Sequence, residues 1–214
     1  METRPTTASE CTQPNPGEML LKPKPQFSHE LHPLLQQRWS PRAFSARPVD
    51  EEILLTLLEA ARWAASANNE QPWRFIYAAK AQGERYHKLF NCLSEWNQAW
   101  AKGAPTLMMT LVKTHFERNG RPNRWALHDL GLAVGNLTTQ ASALDLYVHN
   151  MGGFAVERAR ELFNLPPGIE PVTMIAIGYL GDPERLPEPL KEDELAQQQR
   201  KTIEELILNG EVLA

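Results

Sequence analysis

The segment from Arg124 to Leu146 limits the possible architectures more than any other part of the chain. Its pattern is helical and mostly small or apolar on several sides, with Gly131, Ala133, Gly135 and Ala141 interspersed. A helix of that composition is stable only when most of its circumference is covered. A chain of 214 residues can form one substantial core but not two comfortable ones. Burial against a second copy is therefore the economical arrangement. Gly131 and Gly135, four positions apart, permit close helix–helix approach. Taken alone, the pair serves equally for tight packing inside one chain.

Other elements alternate around that segment. A short helix is predicted over His29–Gln37, stopping where Pro41 biases Ser40 away from helical backbone. Asp50 caps a second helix, with Glu51 and Glu52 at the positive end of its dipole. Ile53, Leu54, Leu57, Leu58 and Ala61 give that helix one apolar stripe, to about Ala65. Phe75–Ala78, Thr106–Val112 and Val172–Tyr179 read as core strands, and Tyr147–Asn150 as a shorter one. One aromatic-rich helix is predicted from Gly83 to Trp100 and another from Ala155 to Phe163. Met151-Gly152-Gly153-Phe154 reads as a tight turn. From Gly181 the chain is polar and proline-rich, turning amphipathic between Gln197 and Leu208. Strands separated by helices predict a sheet covered by helices.

Residues 1–27 carry Pro5, Pro14, Pro16, Pro23 and Pro25 among polar residues, too little apolar surface to offset the entropy of ordering. They read as a flexible proline-rich arm, and 28–214 as the folded domain. A net charge of −4 argues against a nucleic-acid or anionic-membrane partner, since either would want a basic surface. No apolar run is long enough to span a bilayer. Two cysteines, Cys11 and Cys92, are too few for a disulfide scaffold or a cysteine metal site, which fits a reducing, cytoplasmic setting. His128-Asp129 has no further ligand cluster to make a metal site, and a helix-packing histidine is the simpler reading. There is no G-x-S-x-G, no Walker loop and no G-x-G-x-x-G after a strand.

Three separated segments together resemble the nitroreductase family of flavoproteins. Arg38-Trp39-Ser40-Pro41-Arg42-Ala43-Phe44 is similar to that family's opening R-x-S-x-R-x-F signature. Ala65-Ser66-Ala67-Asn68-Asn69-Glu70-Gln71-Pro72-Trp73 resembles its P-S-x-x-N-x-Q-P-W connection. Met151-Gly152-Gly153-Phe154, followed by a helix, a proline-rich turn and an apolar strand ending Gly178-Tyr179, matches its flavin turn and closing strand. Arg200-Lys201 before Ile203 is a fourth, weaker match. The resemblance covers about residues 29 to 210. Trp39 stands where a second basic residue is common, Ala65 where proline is usual, and Gln198 where a second cation often sits.

The resemblance implies an α+β, nitroreductase-like fold: a central, mostly antiparallel or mixed sheet flanked by helices in an intertwined homodimer. It implies FMN held between subunits, with Arg38, Trp39 and Ser40 at the phosphate and nearby ribityl oxygens, completed by Arg200 and Lys201. Arg42 would reach the N1/O2 edge of the ring, where a fixed cation stabilises the charge gained on reduction. Asn69 carries the donor and acceptor needed at the O2/N3–H edge, and Gln71 would buttress that loop or add a polar contact. Met151, Gly152 and Gly153 would bring backbone amides close to N5 and O4. Trp96, Trp100 and Phe116 are candidate walls for a planar substrate, although Trp96 and Trp100 at this spacing also suit a core.

No side-chain nucleophile is required, because the flavin would carry the chemistry. NADH or NADPH would stack transiently over the ring and donate hydride, and a nitroaromatic or quinone would then take its place. Divergent relatives that dehalogenate aromatics or break down flavin give a second reading, and a non-catalytic flavin sensor or carrier a third.

Overall fold

A computed structural model describes residues 22–208. Residues 1–21, most of the proline-rich arm, lie outside the described residues, as do 209–214. Four strands form one sheet: β1 (Trp73–Ala79), β2 (Thr106–Lys113), β3 (Tyr147–Met151) and β4 (Ile169–Gly178), in the order β1-β2-β4-β3. Every pairing is antiparallel.

β2 and β4 occupy the centre, and their sequences show why. Alternate residues of a strand face opposite sides of a sheet. Leu107, Met109, Leu111, Met174 and Ala176 enter one core, while Met108, Val112, Ile175 and Ile177 enter the other. A strand covered on both faces loses its polar alternation, so β2 reads as a continuous apolar run.

The first core is closed by helices α3 (Glu84–Cys92), α4 (Glu95–Ala101), α6 (Val156–Phe163) and α7 (Leu190–Leu195), through residues such as Leu89, Trp100, Ala159 and Leu190. The second is closed by α2 (Glu51–Arg62) and α5 (Ala126–Ser142), which pack on each other through Leu54, Leu57, Leu130, Ala133 and Leu137. The short helices α1 (Pro33–Gln37) and α8 (Ile203–Leu206) flank this body. Among the described residues no helix is long and apolar enough to cross a membrane.

The sequence pattern predicts one helix over 83–100, and the structure has two. Leu93 leaves helical backbone to bridge Phe154, and Ser94 begins α4 by accepting the N–H of Asn97. Tertiary pairing to the turn after β3 thus overrides local helical preference. The tail after Gly181 also contains α7, which its proline content hides. The amphipathic stretch 197–208 condenses to α8 alone, four residues capped by Thr202 and Glu205.

Among the described residues, only one side of α5 is covered. Its Leu130, Ala133, Leu137 and Ala141 are buried, but Leu127 and Leu132 are 61% and 41% exposed. Gly131 and Gly135 share that open side, with no atom within 4 Å of where a Cβ would stand.

Candidate functional site

A cationic cavity of about 440 Å³ forms where the segment after α1 meets the chain beyond α7. Arg38, Trp39, Ser40, Arg42 and Arg200 line it together. These are five of the residues that the sequence singles out, from opposite ends of the chain. Lys22, His149, Asp193 and Gln198 complete the lining.

The segment Arg38–Phe44 is fixed from three directions. Phe44 bridges Leu180, Ser45 donates its N–H to Tyr179 O, and Gly181 donates to Ala43 O. The approach is so close that a Cβ on Gly181 would overlap the carbonyl group of Phe44. From α7, the buried carboxylate of Glu194 accepts the backbone N–H groups of Arg42 and Ala43, each at 2.9 Å. Burial pushes that carboxyl above its usual range, and the two backbone donors pull it back. From β3, His149 Nδ1 lies 2.8 Å from the carbonyl oxygen of Pro41, its ring 4.4 Å from that of Trp100. Burial lowers the His149 pKa to about 4, so the ring is neutral near pH 7 and its Nδ1 donates to that carbonyl.

Two guanidiniums, those of Arg38 and Arg200, converge on one amide in the cavity. The Gln198 amide oxygen accepts from Arg38 at 3.1 Å and from the two terminal nitrogens of Arg200 at 2.5 and 3.2 Å, in the amide orientation that satisfies both sides. Arg38 also donates to Ser40 Oγ at 3.3 Å. Burial first, and then the Arg200 charge, lower the pKa of Arg38. Two like charges gathered around a neutral amide repel, and a multivalent anion between them would turn that repulsion into attraction. Arg42 is partly neutralised by Asp193, 3.6 Å away. Four cations against one carboxylate, with a hydroxyl at hand, suit a phosphate dianion.

Trp39 holds the position where a second basic residue is common in the family pattern, and it belongs to the core while also lining the cavity. It is 4% exposed and edge-on to Tyr147, and its indole N–H has no partner among the described residues. Lys201 lines a neighbouring groove with Phe27, Leu31, Leu35, Ile203 and Leu206, not the cationic cavity.

Asn69 and Gln71 lie elsewhere in the chain. Their loop is left-handed at Asn68, Asn69 and Gln71, with φ of 57°, 55° and 50°. Non-glycine residues pay for such backbone and adopt it only when it is held. Here Gln71 N donates to Ser66 Oγ at 2.9 Å, and Ala67 N donates to the buried Asp129 Oδ2 at 3.1 Å. Asp129 stands in the first turn of α5. Gln37, next to Arg38, is instead tied to Asp145 Oδ1 beyond the last turn of α5. A helix of 17 residues is about 25 Å long. Arg38 and Asn69 of one chain thus sit at opposite ends of α5.

Gly152 and Gly153 follow β3 and are exposed, whereas Met151 is buried at the strand's end. A Cβ on Gly153 would fall 2.9 Å from Asn97 Nδ2, and its carbonyl accepts from Asn97 Nδ2 at 2.9 Å and Ser94 N at 3.0 Å. Packing on α4 therefore accounts for Gly153, while Gly152 faces open space. Trp100 is buried among Phe44 and His149, Phe116 is buried beside Trp125, and Trp96 is 54% exposed. The structure does not gather these three into one pocket. Among the described residues no His/Cys/Asp/Glu group could hold a metal.

Sequence reasoning missed His149, Asp193, Glu194 and Lys22. A single histidine in a five-residue strand carries no signal. Glu194 does carry a faint one, since it follows the buried Leu190 by one helical turn.

The nitroreductase family model matches residues 35–94 and 78–179. The chain belongs to the nitroreductase family. A crystal structure described as an oxidoreductase containing FMN is 36% identical, covers 88% of this chain and 96% of its own, and superposes with a TM-score of 0.81. A nitroreductase family protein of Clostridium difficile, 23% identical, shares the fold at a TM-score of 0.65 over 84% of this chain and 97% of its own. The major NAD(P)H-flavin oxidoreductase of Aliivibrio fischeri is 25% identical over 191 residues, 69% of this chain and 88% of the relative.

Proposed function

We propose that this nitroreductase-family chain is an FMN-dependent NAD(P)H oxidoreductase working as a homodimer, with a planar quinone or nitroaromatic as acceptor. The observation that carries the reading is the pair of guanidiniums, Arg38 and Arg200, brought within reach of one amide oxygen beside the Ser40 hydroxyl. Such a donor set fits the terminal phosphate of FMN. The relatives named for FMN and for NAD(P)H-flavin oxidation support the same cofactor and donor.

FMN held there would supply hydride-transfer chemistry between a nicotinamide donor and the acceptor. The chain supplies placement and charge. Arg38, Ser40 and Arg200 hold the phosphate. Arg42, fixed by Glu194 through its backbone and by Asp193 through its guanidinium, offers positive charge to the N1/O2 edge of the ring. Asn69 offers a donor and an acceptor to the neighbouring edge, and Gln71 steadies its loop through Asn69 Oδ1 at 3.3 Å.

The spread of these residues along α5 supports a site shared by two copies. Within one chain, a single flavin would have to bridge a helix about 25 Å long to meet both Arg38 and Asn69. A two-fold axis pairing α5 with its counterpart antiparallel would set the Asn69 end of one copy beside the Arg38 end of the other. The open side of α5, carrying Leu127, Gly131, Leu132 and Gly135, suits that contact.

The test is a visible spectrum of the purified protein, followed by anaerobic NADH or NADPH and then a quinone. A yellow protein that bleaches with the nicotinamide and recolours with the quinone is expected. A colourless protein that takes up no added FMN would contradict the proposal.

A further inference from the structure

The described end of the proline-rich arm lies across the cationic cavity. Lys22 Nζ donates to the backbone carbonyls of Asp193 at 2.5 Å and Glu194 at 3.1 Å, and stands 5.5 Å from the centroid of the Trp39 ring. Pro23 O accepts the N–H of Gln198 at 2.9 Å, the residue whose amide joins Arg38 to Arg200. Lys24 Nζ donates to Arg38 O at 3.4 Å. Three consecutive residues thus touch both halves of the site, the segment after α1 and the chain beyond α7.

We infer that this arm is a third wall of the phosphate site, and that Lys22 is a phosphate-binding residue which selects FMN over unphosphorylated riboflavin. The inference rests on the FMN reading above.

Lys22 lines the same cavity as Arg38, Ser40, Arg42 and Arg200. Carbonyl oxygens hold its ammonium without neutralising it, so its charge remains available to an anion. Trp39, where a cation would otherwise be common, brings an indole to the cavity wall, and the Lys22 ammonium sits over that ring. Position 22 thus restores the charge that position 39 lacks. Burial lowers the Lys22 pKa, with Arg42 acting the same way and Glu194 and Asp193 opposing. An arriving phosphate would favour the charged form. Riboflavin has the same ring and ribityl chain without the phosphate, so it isolates this contact.

The experiment titrates the apoprotein of the full chain with FMN and, separately, with riboflavin, following quenching of flavin fluorescence. Wild type, Lys22→Met and Arg38→Ala are compared, with circular dichroism recorded for each. The expected result is an FMN dissociation constant raised about tenfold in Lys22→Met, the riboflavin constant unchanged, and a weaker dependence of FMN binding on salt. Equal losses for both flavins would make Lys22 a structural tether and overturn the inference, as would unchanged FMN binding. A wild-type apoprotein that binds neither flavin would overturn the FMN reading and the inference with it. Wild-type binding with an indifferent Lys22→Met would overturn the inference alone.

Discussion

The carboxylate of Glu194 accepts the backbone N–H of Arg42 through both of its oxygens, at 2.9 and 3.0 Å. One of those oxygens also takes the N–H of Ala43 at 2.9 Å. The segment that presents Arg42 is therefore held by a buried charge 152 residues further along the chain. Removing the carboxylate strands two backbone donors, each worth about 1–3 kcal/mol when left unpaired. Glu194→Ala is expected to lower unfolding free energy by roughly 2–6 kcal/mol. Glu194→Gln, which keeps one acceptor, should cost less. Urea unfolding of the two variants against wild type checks both the size and the order.

His149 gives the fold a pH dependence. Its pKa falls from 6.5 to about 4 on folding, chiefly through burial, with Arg42 adding to the decrease and the carbonyls of Pro41 and Ser40 opposing it. The unfolded chain then binds more protons than the folded one between those values, so stability falls as pH drops through that window and is complete above it. The effect is on the order of 3 kcal/mol at most, since one pKa unit corresponds to about 1.4 kcal/mol. Thermal unfolding between pH 7 and pH 4.5 should show a smaller loss for His149→Gln than for wild type. Parallel curves would show that His149 does not titrate in that range.

Arg42 is assigned to the flavin edge that gains negative charge on reduction. Arg42→Ala should lower the midpoint potential of the bound flavin by about 30 mV or more, equivalent to about 1.4 kcal/mol for a two-electron couple. Equilibration against a reference dye under xanthine oxidase reduction measures it. An unchanged potential would place Arg42 away from the ring.

Much of this architecture was legible because it is locally encoded. The α2 stripe of Leu54, Leu57 and Ala61 and the apolar runs of β2 and β4 follow directly from periodicity. Arg38, Ser40, Arg42 and Arg200 emerged from motif order, and the structure brings them to one cavity. What escaped depends on contacts that no window of sequence contains. The break at Leu93-Ser94 exists because Gly153 and Phe154 pack there. The short α7 matters through a single buried carboxylate, and Lys22 through the place where its arm comes to rest. Gly153 adds a constraint that the motif does not show, since a Cβ there would crowd Asn97 Nδ2 and Ser94 Oγ.

The central claim is a flavin cradle built from two copies, Arg38 from one and Asn69 from the other. Co-expression of Arg38→Ala and Asn69→Ala chains under separate affinity tags, followed by purification of the doubly tagged species, tests it by counting tightly bound FMN. In a shared site the mixed dimer has one cradle carrying both defects and one carrying neither. It should bind one FMN per dimer at wild-type affinity, while each homodimeric variant binds weakly. If both residues serve the flavin from the same chain, no cradle in the mixed dimer is intact, and the absence of a tight site there would contradict the account.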